Sequence, residues 1–247
     1  MTPETYYYGQ GKVYLGLRND AGQATKLRWI GDVDSLEVAL TTESFTHKES
    51  YSGHRAPVRR ISTSKDGSAT STWYEHSAEN LAILLYGEKV VVPAGTVTEE
   101  ALPADIDAGD RILLAHNNVS DVIITGLTLG QDYTVDLKFG AIEFLAKPSQ
   151  ALTVNYSYES SINTSMFTAS PVDLFMRYEG INLAENGAPV VLELYKVQFD
   201  PVSALSMINT DTSLPGLETT AAVLLDTNRP EDAQFGRYGR VIHVGGN

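Results

Sequence analysis

The feature that most constrains the fold is a series of β-prone runs, separated by turn residues, that extends over almost the whole chain. Residues 11–18 and 25–30 flank Asn19-Asp20-Ala21-Gly22, and the longer runs 172–183 and 190–199 flank Glu185-Asn186-Gly187-Ala188. Asn-Gly between two β-prone runs favours a hairpin, because both residues accept the backbone angles of tight turns. The sequence therefore predicts a mainly β protein with antiparallel strands and a last strand at 239–244.

A second hairpin is predicted in the first third of the chain. Residues 33–45 alternate and are rich in Thr, and residues 58–64 and 68–74 are strand-like segments around Asp66-Gly67, a dipeptide that favours a turn. Between them, residues 46–57 contain Gly53 and end at a proline, which predicts a long loop between paired strands.

Two segments have helical signals. Ser77 can cap a helix in which Leu81, Leu84 and Leu85 form one apolar face, and Gly87 can end it. A weaker candidate begins with Asp200 as cap and Pro201 as first helical residue, and runs to about residue 208. The first helix has one apolar face and is expected to pack against a sheet.

The composition changes between residues 93 and 160. Pro, Gly and acidic residues separate short β-prone runs there, at 111–115, 122–125, 133–135, 141–145 and 152–158. This pattern predicts a small inserted β-domain at 93–160, with the main domain formed by residues 1–92 and 161–247.

The net charge of −13 is unevenly distributed. Residues 1–92 carry 10 Lys and Arg against 11 Asp and Glu, residues 93–160 carry 3 against 10, and residues 161–247 carry 5 against 10. Binding of duplex DNA through its phosphates requires clustered basic residues, so this balance argues against it. One basic cluster, Arg55 with Arg59 and Arg60 beside Tyr51, fits a protein partner that bears carboxylates as well as it fits a nucleic acid.

The chain contains no cysteine, so neither disulfides nor thiolate metal sites can hold the fold, and this fits a reducing cytoplasm. No basic stretch followed by an apolar run stands at the beginning, and no 18 apolar residues occur together. We expect neither a signal peptide nor a membrane span.

Catalytic and metal-binding patterns are weak. The five histidines are scattered without a metal-ligand spacing: His47, His54, His76, His116 and His243. Paired carboxylates at 32/34, 99/100 and 105/107 could serve glycoside hydrolysis, but two of these pairs lie in turn-rich sequence, where solvated acids are usual. Glycines at positions 9 and 11 do not continue into a phosphate-binding loop. We expect no enzyme, cofactor or metal.

An ordered set of segments resembles the major tail tube proteins of long-tailed phages that infect Gram-negative bacteria. The segments are 11–15, 27–33, 47–50 with Gly53, 79–82, 85–87, 166–168, 177–182, 191–201 and 234–240. No single motif among them is specific, but their order along nearly the whole chain is.

The resemblance implies an antiparallel β-sandwich or barrel with a flanking helix, in a structural virion protein. Six copies would form a ring, and stacked rings would form a tail tube that conducts DNA during ejection without binding it specifically. The implied partners are other copies of the chain, the tape measure protein and other tail proteins, with no membrane. The implied location is the virion tail, after synthesis in the bacterial cytoplasm.

The resemblance also assigns roles to segments. The loop at 46–57 would reach the next ring, and its candidate residues are His47, Lys48, Glu49, Ser50, Tyr51, Gly53, His54 and Arg55. The pair 33–45 with 58–74 and the hairpin 172–199 would line the channel, with Asp34, Glu37, Glu43, Asp173, Glu179 and Glu193 as candidate lumen residues. The inserted domain would lie on the tube exterior.

Alternation divides the strand at 172–179 into two sets of side chains. The more polar set is Asp173, Phe175, Arg177 and Glu179, and the other is Val172, Leu174, Met176 and Tyr178. Glu193 alternates with Tyr195 and Val197, which predicts burial beside a partner such as Arg177.

Two other functions remain open from the sequence. The chain could be another tail subunit, such as a terminator or minor tail protein, or an acidic carbohydrate-binding module or hydrolase.

Overall fold

The computed structural model describes residues 4–210 and 212–245. The fold is mainly β, with antiparallel sheets and one α-helix in the described residues, as predicted. The strands are β1 Gly9–Arg18, β2 Ala24–Trp29, β3 Val33–Lys48, β4 Pro57–Trp73, β5 Lys89–Val92, β6 Gly95–Ala101, β7 Arg111–Leu113, β8 Val119–Ile124, β9 Tyr133–Asp136, β10 Ala141–Phe144, β11 Thr153–Tyr158, β12 Ser161–Thr164, β13 Leu174–Asn182, β14 Ala188–Phe199, β15 Leu217–Val223 and β16 Gly239–His243. The helix α1 spans Ala78–Leu84, and a 3-10 turn spans Leu183–Glu185.

The chain forms two compact units. One contains the residues up to Glu88 and from Ser165 onward, and the other comprises Lys89–Thr164. The second unit extends beyond the predicted insertion of 93–160, because β5 and β12 pair with each other at its two ends.

The first unit contains one eight-stranded sheet in the order β2-β1-β13-β14-β15-β4-β3, with β16 also paired to β14. The hairpin predicted at Asn186-Gly187 is confirmed, since β13 and β14 pair and both turn residues have positive φ, 54° and 77°. The last predicted strand is also confirmed, as β16.

The sheet bends around a single core. Strands β1 and β4 are distant in the strand order, but their residues Val13 and Trp73 lie in one buried cluster. In this cluster the rings of Trp73 and Phe199 pack edge to face, with 5.1 Å between their centroids. The link between β2 and β3 joins both regions, because Ile30 N–H donates to Val13 and Asp32 accepts from Tyr74 N–H. No closed barrel forms in the described residues, because β2 and β3 remain unpaired with each other.

The predicted helix is confirmed as α1, and it packs on this core. Ser77 caps it by accepting from Asn80 N–H, and Leu84 is fully buried. The residue with left-handed backbone at its end is Tyr86 (φ 51°) rather than the following glycine. Gly87 serves close packing instead, since an added Cβ would lie 1.8 Å from the carbonyl oxygen of Ser165.

The second predicted helix, at 200–208, is wrong. Asp200 N–H donates to Thr220 of β15, and Val202 N–H donates to Leu84 of α1. Val202 and Leu205 pack on the core, so tertiary contacts satisfy this backbone and override the local Asp-Pro signal.

The second unit has its own core. The three-stranded sheets β6-β11-β8 and β7-β10-β9 contribute buried side chains to one cluster that includes Ile142, Phe144 and Val154. The unit therefore buries apolar surface independently of the first one.

Asn80 should be a strong contributor to the stability of the first unit. It is fully buried, and its Nδ2 donates to the carbonyl oxygens of Ile30 and Glu75 at 2.8 Å each. Asn80→Ala removes both bonds and leaves a buried carbonyl unpaired, so we expect a loss of about 2 kcal/mol in the free energy of unfolding. Urea denaturation measures it, with the exposed Asn117→Ala as control, and equal stability of the two variants would refute this role.

Candidate functional site

The strands β3 and β4 continue beyond the sheet as a two-stranded ribbon. They stay paired up to Lys48 and Pro57, whereas β15 pairs with β4 only from Gly67 to Trp73. Residues 41–66, which we call the ribbon, therefore have no third strand beside them. Eight cross-strand pairs, from Thr41 with Asp66 to Lys48 with Pro57, give it a length of about 27 Å.

Two sequence predictions about this region are wrong. The connecting loop is 49–56 rather than 46–57, because the alternating sequence on both sides continues the strand pairing. Asp66-Gly67 is no turn, since β4 runs straight through it. Gly67 is instead packed closely, and an added Cβ would lie 3.1 Å from Val223 and 3.2 Å from Leu40.

The ribbon exposes apolar side chains that the chain itself does not cover. Phe45 and Ile61 are direct cross-strand partners and are 58% and 47% exposed. Val58 and Tyr51 are also exposed, Tyr51 by 85%. Because an isolated two-stranded ribbon is only marginally stable in water, this element is suited to contact another chain.

The far end of the ribbon is basic. Residues 44–61 carry Lys48, Arg55, Arg59 and Arg60 but a single acidic residue, Glu49, in a chain with a net charge of −13. The predicted contact residues all lie there, with His47 and Lys48 at the end of β3 and Glu49, Ser50, Tyr51, Gly53, His54 and Arg55 in the loop. A basic, partly apolar tip favours an acidic partner surface.

Glu49 organises this loop from within. Its side chain is buried and accepts from the backbone N–H groups of Tyr51 and Ser52 at 2.8 Å and of Ala56 at 3.2 Å, and from the Ser52 hydroxyl. The Ser52 hydroxyl and then these N–H groups lower the pKa of Glu49 to about 2. Glu49 therefore shapes the tip, and its carboxylate faces the loop.

An acidic surface covers the outer side of β3, β4 and β15. The alternate residues Leu36, Ala69 and Ala221 pack in the core, so their neighbours face away from it. We call this surface the acidic face; it comprises Glu37, Ala39, Thr41, Glu43, Ser64, Asp66, Ser68, Thr70, Glu218, Thr220 and Ala222. It has four carboxylates and no Lys or Arg, and its other side chains are small.

The acidic face contains two of the six predicted lumen residues, Glu37 and Glu43. Asp34 is exposed at an irregularity in β3 between Val33 and Leu36. The sequence analysis missed Asp66 and Glu218, the first because Asp66-Gly67 predicted a turn. The alternation of β15 around its buried residues 217, 219, 221 and 223 is the signal that would have identified Glu218.

The other three lumen candidates are ion-paired. Asp173 binds Lys196 at 2.8 Å, and Glu179 binds Arg177 at 2.6 Å. Glu193 is 8% exposed and is paired with Arg177, as predicted, and also with Arg240 at 2.8 Å. Their negative charges are locally neutralised.

The outer side of β13 and β14 is covered by the chain itself. Phe175, predicted in the polar set, is buried and stacks on Tyr195, whose hydroxyl donates to the Phe235 carbonyl. The Arg229 guanidinium lies 3.7 Å from the Tyr195 ring centroid. This half of the sheet therefore presents less open surface than the acidic face.

A buried ion pair missed by the sequence analysis anchors the covering segment. Asp226 is 1% exposed and lies 2.8 Å from Arg18 of β1 and 3.4 Å from Arg229. Its partner Arg18 is 208 positions away, so only the fold brings the pair together.

The described residues contain no group of three or more His, Asp or Glu placed to hold a metal ion. None of the helices in the described part of the chain has the length and hydropathy of a membrane span.

Together these features define a mainly β chain whose most prominent surface is a projecting, partly apolar ribbon. The chain matches the family described as Protein of unknown function UCP028589 over residues 6–242, and it belongs to that family. A search of the curated proteins returned no match.

The order of the ribbon tip should depend on the charge of Glu49. Its pKa is lowered from the usual 4.5 to about 2, so its stabilisation of the loop is complete above pH 4.5 and is lost as the pH falls through 2. We expect hydrogen-exchange protection at the Tyr51 and Ser52 amides to persist at pH 3.5. In Glu49→Gln the protection should be weaker at pH 3.5 and above, where Glu49 of the unchanged protein is ionised. Loss of protection already at pH 4.5 in the unchanged protein would contradict the assignment.

Proposed function

We propose that the protein is the major tail tube protein of a long, non-contractile phage tail, with a sandwich-like or barrel-like sheet of the tail tube type. Six copies form a ring, and stacked rings form a tube that conducts DNA during ejection. The observation that carries the proposal is the ribbon. It exposes apolar side chains on two strands that no other strand of the chain supports. The sequence resemblance points to the same function.

The sheet edges support assembly within a ring. β2 and β3 are the two edge strands of the sheet, and they differ in length, with six and 16 residues. If β2 of one copy pairs with β3 of the next, the contact joins two unlike edges. Contacts between unlike surfaces generate rings when the rotation closes. Such pairing also covers edges that invite aggregation in a lone chain.

The ribbon supports stacking of the rings. Its apolar residues Phe45, Val58 and Ile61 require cover, and its basic tip requires an acidic partner surface. The chain is acidic outside the tip, so a second copy supplies such a surface. Stacking by a projecting arm is again a contact between unlike surfaces, and it continues along the axis as an open series.

The acidic face is suited to the channel wall. DNA must pass without being retained, and a wall with carboxylates and no basic side chains repels phosphates at short range. Screening over about 8 Å at physiological salt leaves this repulsion effective for DNA close to the wall. In this arrangement the second unit, Lys89–Thr164, lies outside the tube, and the tape measure protein occupies the channel before ejection.

Tube formation should require the ribbon tip. Deletion of residues 48–55 removes Tyr51 and two basic side chains but none of the core, so we expect folded subunits that form no tubes. Circular dichroism checks the fold, and negative-stain electron microscopy of concentrated protein checks assembly. Normal tubes from the deletion variant would contradict a role of the tip in stacking.

DNA passage should depend on the sign of the wall charge. We expect Glu37→Lys, Glu43→Lys and Glu218→Lys in combination to leave tubes intact but to make them retain duplex DNA at low salt, because the wall then attracts phosphates. Co-sedimentation of DNA with tubes measures this. The matched control makes the same charge change on the second unit, with Glu99→Lys, Glu143→Lys and Glu159→Lys. Equal DNA retention by both variants would rule out a lumen position for the acidic face.

A further inference from the structure

An apolar pocket lies at the end of α1, and none of its lining residues belongs to the ribbon. Its lining includes Ile83, Tyr86, Gly87, Ala169, Ser170 and Phe199, and its volume is about 200 Å³. Small-molecule sites usually begin at about 300 Å³, so this pocket has the size for one protein side chain.

Hydrogen bonds join the segments that line the pocket. The Tyr86 hydroxyl donates to the Phe199 carbonyl and Ala169 N–H donates to the Tyr86 carbonyl, both at 2.8 Å. Tyr86 adopts φ 51°, a left-handed conformation that is strained for a non-glycine residue. Strain of this kind persists where the surroundings enforce it, and it occurs preferentially at functional sites.

Two acidic residues directly follow lining residues of the pocket in the sequence. Glu88 follows the lining residue Gly87, Asp200 follows the lining residue Phe199, and both acids are exposed. Burial, and then the negative charge of Asp200, raise the pKa of Tyr86, which places that carboxylate near the pocket. An apolar pocket with carboxylates beside it fits an aromatic side chain accompanied by cations.

The ribbon tip has this complementary chemistry. Tyr51 is 85% exposed, and Lys48 and Arg55 lie in the same tip. Tyrosine and arginine are the residue types most often found as energetic hot spots of interfaces. We propose that Tyr51 of one copy inserts into this pocket on a second copy, with Lys48 and Arg55 facing Glu88 and Asp200. This inference rests on the proposed function and names the surface that receives the ribbon tip of the neighbouring copy.

The absence of cysteine allows a direct test by cross-linking. One preparation carries Ser50→Cys, at the exposed neighbour of Tyr51, so that the inserting side chain is kept, and the other carries Ser170→Cys, at an exposed residue of the pocket wall. The two are mixed under tube-forming conditions and treated with a short bis-maleimide linker. We expect a linked dimer that contains one chain of each kind. Leu129→Cys, also at an exposed position, replaces Ser170→Cys in the control and should give no dimer.

The energetic test uses charge exchange. Tyr51→Ala should raise the critical concentration for tube formation about thirtyfold, which corresponds to the loss of one hot-spot side chain. Arg55→Glu should raise it as well, and Arg55→Glu combined with Asp200→Arg should restore much of the assembly. Leu113→Ala, at an exposed apolar residue of the second unit, is the control and should change nothing.

The outcomes separate the two proposals. Tubes that form without a link between positions 50 and 170 overturn the pocket as receptor and leave the proposed function standing. Failure of the unaltered protein to form tubes contradicts the proposed function, and the pocket inference fails with it.

Discussion

The pairing of β3 with β4 extends about eight residues beyond the part of β4 that pairs with β15. This extension determines which surfaces of the molecule are open to contact with another chain. Within the sheet, alternate residues of both strands pack on the core and hold the base of the ribbon in place. Beyond the sheet, the same strands have water on both sides. In the proposed tube, a second chain supplies this packing.

The charge pattern follows the same division. Carboxylates without basic partners lie on the acidic face, at the sheet and the base of the ribbon, whereas a cluster of four basic residues, Lys48, Arg55, Arg59 and Arg60, lies towards the tip. The loop at the tip keeps its shape through Glu49, which satisfies three backbone N–H groups with one buried carboxylate. A polarised arm of this kind favours head-to-tail contacts between copies over symmetric pairing, because like ends repel.

Local signals predicted those parts of the fold that depend on local chemistry. The Asn186-Gly187 hairpin and the capped helix α1 depend on turn and cap residues that stand next to each other in the sequence. The predicted helix at 200–208 and the predicted turn at Asp66-Gly67 were wrong because residues distant in the sequence determine the backbone conformation there. Val202 bonds to Leu84, and Gly67 packs against Val223, so tertiary contacts override the local preference.

The same limit applies to the candidate site. Alternation alone places Glu37 and Glu43 on one face, and it also suggested that buried Glu193 would pair with Arg177. It could not reveal that Asp173 pairs with Lys196, or that the outer side of Tyr195 is covered by residues from the end of the chain. Which acids remain unpaired depends on contacts across the whole sheet.

The central claim, that the chain assembles through its ribbon into a tube, is tested most directly by electron microscopy of the concentrated, unaltered protein. The account predicts long tubes of stacked rings with an open central channel, in which density for each ribbon reaches the adjacent ring. A protein that stays monomeric at every concentration, or that forms closed symmetric dimers with the ribbon exposed, would contradict it.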